Sequence, residues 1–158
     1  MTTIADAAQD FLSCRRIAVT GVSREPKDHG GNVVYKRLRE RGYEVFAVNP
    51  NAETVEDDPA YKDLGSIPGG VEAVVLATRP EHAEATVREA AGLGITRAWM
   101  HRSFGRGSVS PEATTVGRDA GMTVIDGGCP LMFGAASDPG HKVMGACLRL
   151  TGKLPRTV

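Results

Sequence analysis

The stretch Ile17–Leu38, "IAVTGVSREPKDHGGNVVYKRL", decides the fold. Its first residues, within the run Arg16–Thr20, are apolar or small on consecutive positions, as in a strand covered on both faces. From Gly31 to Arg41 the spacing turns helical, with Val34, Leu38 and Arg41 on one face and charges elsewhere. Between strand and helix lies a loop of small and charged residues. A strand, a glycine-bearing loop and a helix make the first half of a βαβ unit.

Working outward, the same alternation continues. Glu44–Val48, Ala73–Ala77, Arg97–Met100 and Met122–Ile125 are further short apolar runs, most of them rich in Val and Ile. Pro80–Leu93 is Ala- and Glu-rich, opens on Pro and ends at the "GLG" of Gly92–Gly94, a C-cap signal. Pro111–Ala120 follows Ser110, a good N-cap, and stops at Gly121. Ile4–Cys14 and His141–Leu150 read as amphipathic helices at either end. Asn49–Gly70, with "NPNAETVEDDP" and "SIPGG", reads as a long loop holding at most a short strand or helix. The expectation is an α/β fold: a Rossmann-like, doubly wound parallel sheet of about five strands with flanking helices, as one domain over residues 1–158.

Composition narrows the function. The 158 residues carry 19 Lys+Arg and 19 Asp+Glu, a formal net charge of zero, so nothing electrostatic points to nucleic acid or an anionic membrane. No apolar run is long enough to span a bilayer, and Met1–Asp10 has no signal-peptide pattern, which gives a cytoplasmic expectation. Three cysteines without a CxxC pair argue against a disulfide framework or structural zinc. The four histidines are far apart in sequence, so no metal site is read.

In an open parallel sheet ligands sit at the carboxyl edge, where strand order reverses. Gly21–Asn32 lies there. Gly21 lets backbone approach a ligand, Ser23 offers a hydroxyl, Lys27 a charge, and the helix start near Gly30–Val33 free N–H groups. This chemistry suits a phosphate. The P-loop pattern fails, because Gly21 is followed by Pro26, Lys27 and Asp28, with no second Gly and no hydroxyl after the Lys. The dinucleotide fingerprint also fails. Position 23 is Ser, position 26 is Pro, and the second strand ends in Val48-Asn49-Pro50 with no acid for a ribose diol.

Four stretches together carry a resemblance: Ile17–Glu53, Tyr61–Glu81, Gly94–Gly105 and Asp119–Phe133. They hold a Ser-x-x-Pro-x-x-x-Gly loop, a Gly-Tyr-x-Val-x-x-Val-Asn-Pro strand and a late Cys-Pro. The chain resembles the small stand-alone CoA-binding domain proteins, relatives of the N-terminal domain of the succinyl-CoA synthetase α subunit. The resemblance implies coenzyme A, free or acylated, across the strand edge. It implies that Gly21, Val22, Ser23 and Arg24 meet the pyrophosphate and that Lys27 adds charge. It further implies that Asn49 and Pro50 border the adenosine, that Thr78, Arg79 and Pro80 line the pantetheine path, and that His101, Arg102 and Ser103 lie nearby. A Lys that follows the second strand in the synthetase subunit is absent here, where Asn51 and Ala52 stand; Lys27 or Arg24 is the substitute. The synthetase's later phosphohistidine domain and β subunit have no counterpart, so the implied role is binding, without ligase activity.

Two other readings stay open. An NAD(P)-binding oxidoreductase or redox sensor fits the fold, and Arg24 suits a 2′-phosphate. Cys129, in "DGGCPLMF" just past the fifth strand, is either a thiol that exchanges with CoA or a small residue turning the chain with Pro130. Cys14 and Cys147 lie on apolar helix faces and read as core. His101 is a polar lining residue or an acid–base group. The segment His101–Ser108 is a lid, an anion contact or a plain loop. Trp99 and Tyr43 read as packing residues. The apolar stripe Val143, Met144, Cys147 and Leu148 closes the core or forms a face for a second copy or a partner protein.

Overall fold

The computed structural model describes residues 1–25 and 30–158. The five expected strands are present as β1 (Arg16–Thr20), β2 (Glu44–Val48), β5 (Ala73–Leu76), β6 (Arg97–Met100) and β7 (Thr123–Asp126). They are mutually parallel and stand in the order β2-β1-β5-β6-β7. Two further strands lie in the segment read as loop. β3 (Thr54–Val55) and β4 (Asp58–Tyr61) form an antiparallel hairpin, and β4 pairs parallel to β2, extending the sheet to seven strands. Their shortness and the Pro59 within them hid them, because a two-residue strand has no measurable periodicity.

The strands read as continuous apolar runs because both faces are covered. Ile17, Val19, Val75, Trp99 and Ile125 pack with Phe11 of α1 (Ile4–Ser13) and with Val34, Tyr35 and Leu38 of α2 (Gly30–Glu40). The alternate residues Ala18, Val74, Ala98 and Val124 pack with Ala83, Val87 and Ala90 of α3 (Pro80–Gly92) and Ala113 of α4 (Pro111–Asp119). Small residues at the second layer let α3 and α4 lie close. Gly117 is the tightest point, where an added Cβ would sit 2.5 Å from Val124 Cγ2.

Helix ends follow the sequence signals. Thr3, Ser110 and Asp138 accept the N–H of Asp6, Ala113 and His141, and α3, α4 and α5 (Pro139–Leu150) each open on proline. The amino edge of the sheet is tied by Glu72, which accepts the Arg15 and Arg16 N–H groups, and by Arg16, which stacks on Phe46.

The end of the chain departs from expectation. On α5 only Gly145 and Leu148 are buried, while Val143, Cys147 and Leu150 are exposed. Cys147 is therefore not core, because α5 rests on the short turn Pro130–Met132 along a narrow strip. Cys14 is buried, as are Trp99, whose indole N–H donates to Gly127 O, and the ring of Phe11 packed edge-on against it. Among the described residues, no helix is long and apolar enough to cross a membrane, and no cluster of side chains has the makings of a metal site.

Candidate functional site

Strand order reverses between β1 and β5: the chain leaves β1 for β2 on one side and returns through β5 on the other. The crevice at their carboxyl ends is where an open α/β sheet takes its ligand. Here it is built from backbone. Gly21 turns the chain at φ +76°, and a Cβ there would lie 2.4 Å from Ala77 O and 2.9 Å from Thr78 N. On its other side, a Cβ on Gly31 would lie 2.6 Å from Gly21 O. The β1 loop is thus held between the end of β5 and the start of α2, with no room for a side chain at either glycine. Thr20 Oγ1 adds a tie, donating to Val75 O and accepting from Ala77 N.

The polar groups beyond Gly21 divide into spent and free. The Ser23 N–H donates to Asn32 Oδ1 at 2.8 Å, and Ser23 O accepts from Asn32 Nδ2 at 2.9 Å. Ser23 Oγ accepts the Glu25 N–H, which leaves the hydroxyl proton to donate. Asn49 is a brace: its Nδ2 donates to Val22 O and its Oδ1 accepts the Asn51 N–H. Thr78 Oγ1 is buried and has no hydrogen-bond partner among the described residues. Arg79 is the N-cap of α3 and makes no side-chain capping bond; Pro80 carries no N–H, and the His82 N–H donates to Arg79 O.

These groups open onto a cleft of about 610 Å³. Its walls are Gly21, Val22 and Ser23 after β1; Asn49, Pro50 and Asn51 after β2; Lys62, Asp63 and Leu64 after β4; Ala77, Thr78 and Arg79 after β5; and His82, Ala85, Thr86 and Glu89 on α3. Pro50, Asn51 and Lys62 also line a neighbouring depression of about 570 Å³, so one trough runs from the β1–β5 crevice to the hairpin. The two carboxylates of the larger cleft are engaged. Asp63 accepts from Ser66 N–H and Oγ, which hold it below the usual carboxylate range, and Glu89 accepts the Gly65 N–H. Lys62 and Arg79 form no ion pair with any described residue. The trough therefore offers two cations and a hydroxyl donor to an anion.

Of the residues singled out from the sequence, the structure brings Gly21, Val22, Ser23, Asn49, Pro50, Thr78 and Arg79 to this cleft. Lys27 lies outside the described residues. Arg24 is exposed on the bend after Ser23 and is not part of the wall. Pro80 begins α3 and faces a separate shallow groove beside Arg106. His101 packs against the start of α2, where a Cβ on Gly30 would meet its ring at 2.9 Å. Arg102 bonds Gly128 O and Gly105 O, closing its own loop, and Ser103 lies 3.4 Å from His101 Nε2. Desolvation, aided by His141, pushes the His101 imidazole down to about 4, so it is neutral near pH 7. Cys129 is buried at the start of the Pro130–Met132 turn, and burial pushes its thiol up to about 12. It holds no thiolate near neutral pH.

Lys62, His82 and Thr86 were not legible as site residues. Lys62 follows a strand too short to recognise, and the other two sit on a helix face that nothing in the sequence marks as the ligand side.

Comparison with known proteins places the chain. The family model described as the CoA binding domain matches residues 15–135. An uncharacterized protein of Bacillus subtilis, YneT, is 30% identical over 121 residues, spanning 77% of this chain and 86% of that protein. The α subunit of an ADP-forming acetate–CoA ligase from Pyrococcus furiosus is 35% identical over 86 residues, 54% of this chain. The match spans only 19% of that subunit's length. The solved structure of a hypothetical protein from Pyrococcus horikoshii superposes with a TM-score of 0.72 at 28% identity, covering 80% of this chain and 85% of that one. The matched segment contains all seven strands and the trough they frame, and on it the chain belongs to the CoA-binding domain family.

Proposed function

We propose that the trough binds coenzyme A or an acyl-CoA, with its pyrophosphate at the Gly21–Ser23 loop. The adenosine lies toward Pro50, Asn51 and Lys62, and the pantetheine arm leaves past Thr78 and Arg79. The observation that carries this is the buried Thr78 hydroxyl, without a partner among the described residues, beside a cradle too tight for any Cβ. A buried hydroxyl costs about 1–3 kcal/mol if it stays unpaired. A phosphate or amide oxygen in the crevice would satisfy it.

Lys62 supplies the cation that the stretch after β2 lacks, coming from the next strand over. We read the protein as a single-domain cytoplasmic binding or carrier module without ligase activity of its own. Cys129, the nucleophile candidate of the sequence, is buried outside the trough lining with its thiol pushed up to about 12. The NAD(P) reading finds no support at β2: the residue where a ribose-binding acid would stand is Asn49, and its amide is already spent on Val22 and Asn51.

Titration calorimetry with CoA, dephospho-CoA, acetyl-CoA and NADPH tests the proposal. Saturable heat with CoA or acetyl-CoA and none with NADPH is expected. Ligand at a hundredfold excess over Kd should stabilise the fold by about 2.7 kcal/mol. Heat with NADPH alone would replace the proposal with the dinucleotide reading.

A further inference from the structure

Asn32 lies in the first turn of α2, is 1% exposed, and has its amide oxygen and both amide protons engaged. Its Oδ1 accepts the Ser23 N–H. Its Nδ2 donates one proton to Ser23 O at 2.9 Å and the other to Glu56 Oε1 at 2.8 Å. The chemistry admits one orientation: the Ser23 N–H needs an acceptor, and the Ser23 carbonyl and the Glu56 carboxylate both need donors. Glu56 belongs to a different part of the sheet, the turn of the β3–β4 hairpin.

That turn is held in an unfavourable backbone form. Glu56 and Asp57 have φ of 50° and 65°, as the two central residues of a type I′ turn must. Asn-Gly is the pair that adopts this form easily; Glu-Asp is not. The hairpin does not need the Glu56 carboxylate to stay in place. Arg39 donates to Glu56 O and to Asp58, and Tyr35 Oη donates to Asp58 at 2.7 Å. The Glu56 side chain, 12% exposed, instead reaches inward to Asn32, with its second oxygen 3.8 Å from Lys36 Nζ. A strained position whose side chain serves a neighbouring loop points to a role in the site.

We propose that Glu56 is a positioning residue for ligand binding: through Asn32 it fixes Ser23, and so aims the free Ser23 hydroxyl proton at the phosphate position. The role rests on the CoA reading of the trough. It also ties the two walls together, because the hairpin that carries Glu56 leads directly into Lys62. Without the carboxylate, one buried Asn32 N–H loses its acceptor, and the loop can recover it only by letting Ser23 move.

Three variants test this. Glu56→Gly eases the left-handed backbone and removes the carboxylate. Asp57→Gly eases the same turn and touches nothing in the site. Glu56→Gln keeps an acceptor for Asn32. The readouts are CoA affinity by calorimetry, melting temperature, and hydrogen exchange of the Ser23 amide in ligand-free protein. Glu56→Gly should melt within a few degrees of the parent, the eased turn offsetting the lost Asn32 bond, yet bind CoA on the order of tenfold more weakly and expose the Ser23 amide to exchange. Glu56→Gln and Asp57→Gly should keep both properties within about twofold. Parental affinity and parental Ser23 protection in Glu56→Gly would overturn the proposal. If the parent protein itself takes up no CoA, the ligand assignment fails, and the exchange measurement alone still decides the positioning role.

Discussion

Replacing Gly31 with alanine sets two opposing effects against each other at the ligand cradle. Gly31 sits in the first turn of α2 with ordinary helical backbone, so alanine should by itself favour the helix by about 1 kcal/mol. The new methyl, however, would lie 2.6 Å from Gly21 O, 2.9 Å from Gly21 C and 3.2 Å from Ala77 Cβ. Two of these are backbone atoms at the crevice, so no rotamer change relieves them. Helix and loop must separate by roughly half an ångström, an overpacking cost of about 1–3 kcal/mol. The clash should win, lowering stability by up to about 2 kcal/mol and the melting temperature by up to about 8 °C. The same displacement moves the Gly21–Ser23 loop off the phosphate position, so CoA affinity should fall by about tenfold or more. Gly117→Ala is the control. Its methyl would meet Val124 Cγ2 at 2.5 Å and Val87 Cγ1 at 3.1 Å, away from the Gly21–Ser23 loop, so it should destabilise comparably while leaving affinity within about twofold. Urea unfolding gives the stabilities and calorimetry the affinities. A Gly31→Ala protein that is more stable than the parent and binds CoA equally well would refute the account of the cradle.

Three further outcomes follow from the site. Lys62→Ala should weaken CoA binding and flatten its salt dependence, measured by calorimetry across ionic strengths, because an unpaired cation is lost from the trough wall. The folded His101 pKa of about 4 lies below the ordinary value of 6.5, so the unfolded chain binds the proton first as pH falls. Stability should therefore be full above pH 6.5 and decline toward pH 4, by up to about 3 kcal/mol, and His101→Gln should flatten that limb of an acid-unfolding curve. At pH 8 iodoacetamide should label exposed Cys147 and spare buried Cys129, read by peptide mass spectrometry, and Cys129→Ser should keep CoA affinity within a few fold.

Much of this architecture was legible from one pattern. Continuous Val- and Ile-rich runs separated by helical spacings gave the five parallel strands and their helices, because strands covered on both faces have no polar side to show. The hairpin escaped, since Thr54–Val55 is too short for a period and its turn carries Glu-Asp in place of the usual Asn-Gly. Its loss took Lys62 and Glu56 with it. The glycines of the β1 loop were readable as points of close approach; the partner of that approach, Ala77 just after β5, is fixed only by the sheet order. His101 and Cys129 lie at the correct sheet edge in sequence terms, yet they end on β6 and β7, away from the crevice between β1 and β5. The exposure of Cys147 depends on how little of α5 the Pro130–Met132 turn covers, which its apolar spacing does not encode.

The central claim is that CoA enters the trough at the β1–β5 crevice. Amide chemical shifts of ¹⁵N-labelled protein, followed through a CoA titration, test it most directly. The account predicts saturable shifts at Gly21, Val22, Ser23, Thr78, Arg79 and Lys62, with Gly117 and Gly152 unmoved. Saturable shifts confined to α5 or to the His101–Ser108 segment, or none at any position, would contradict it.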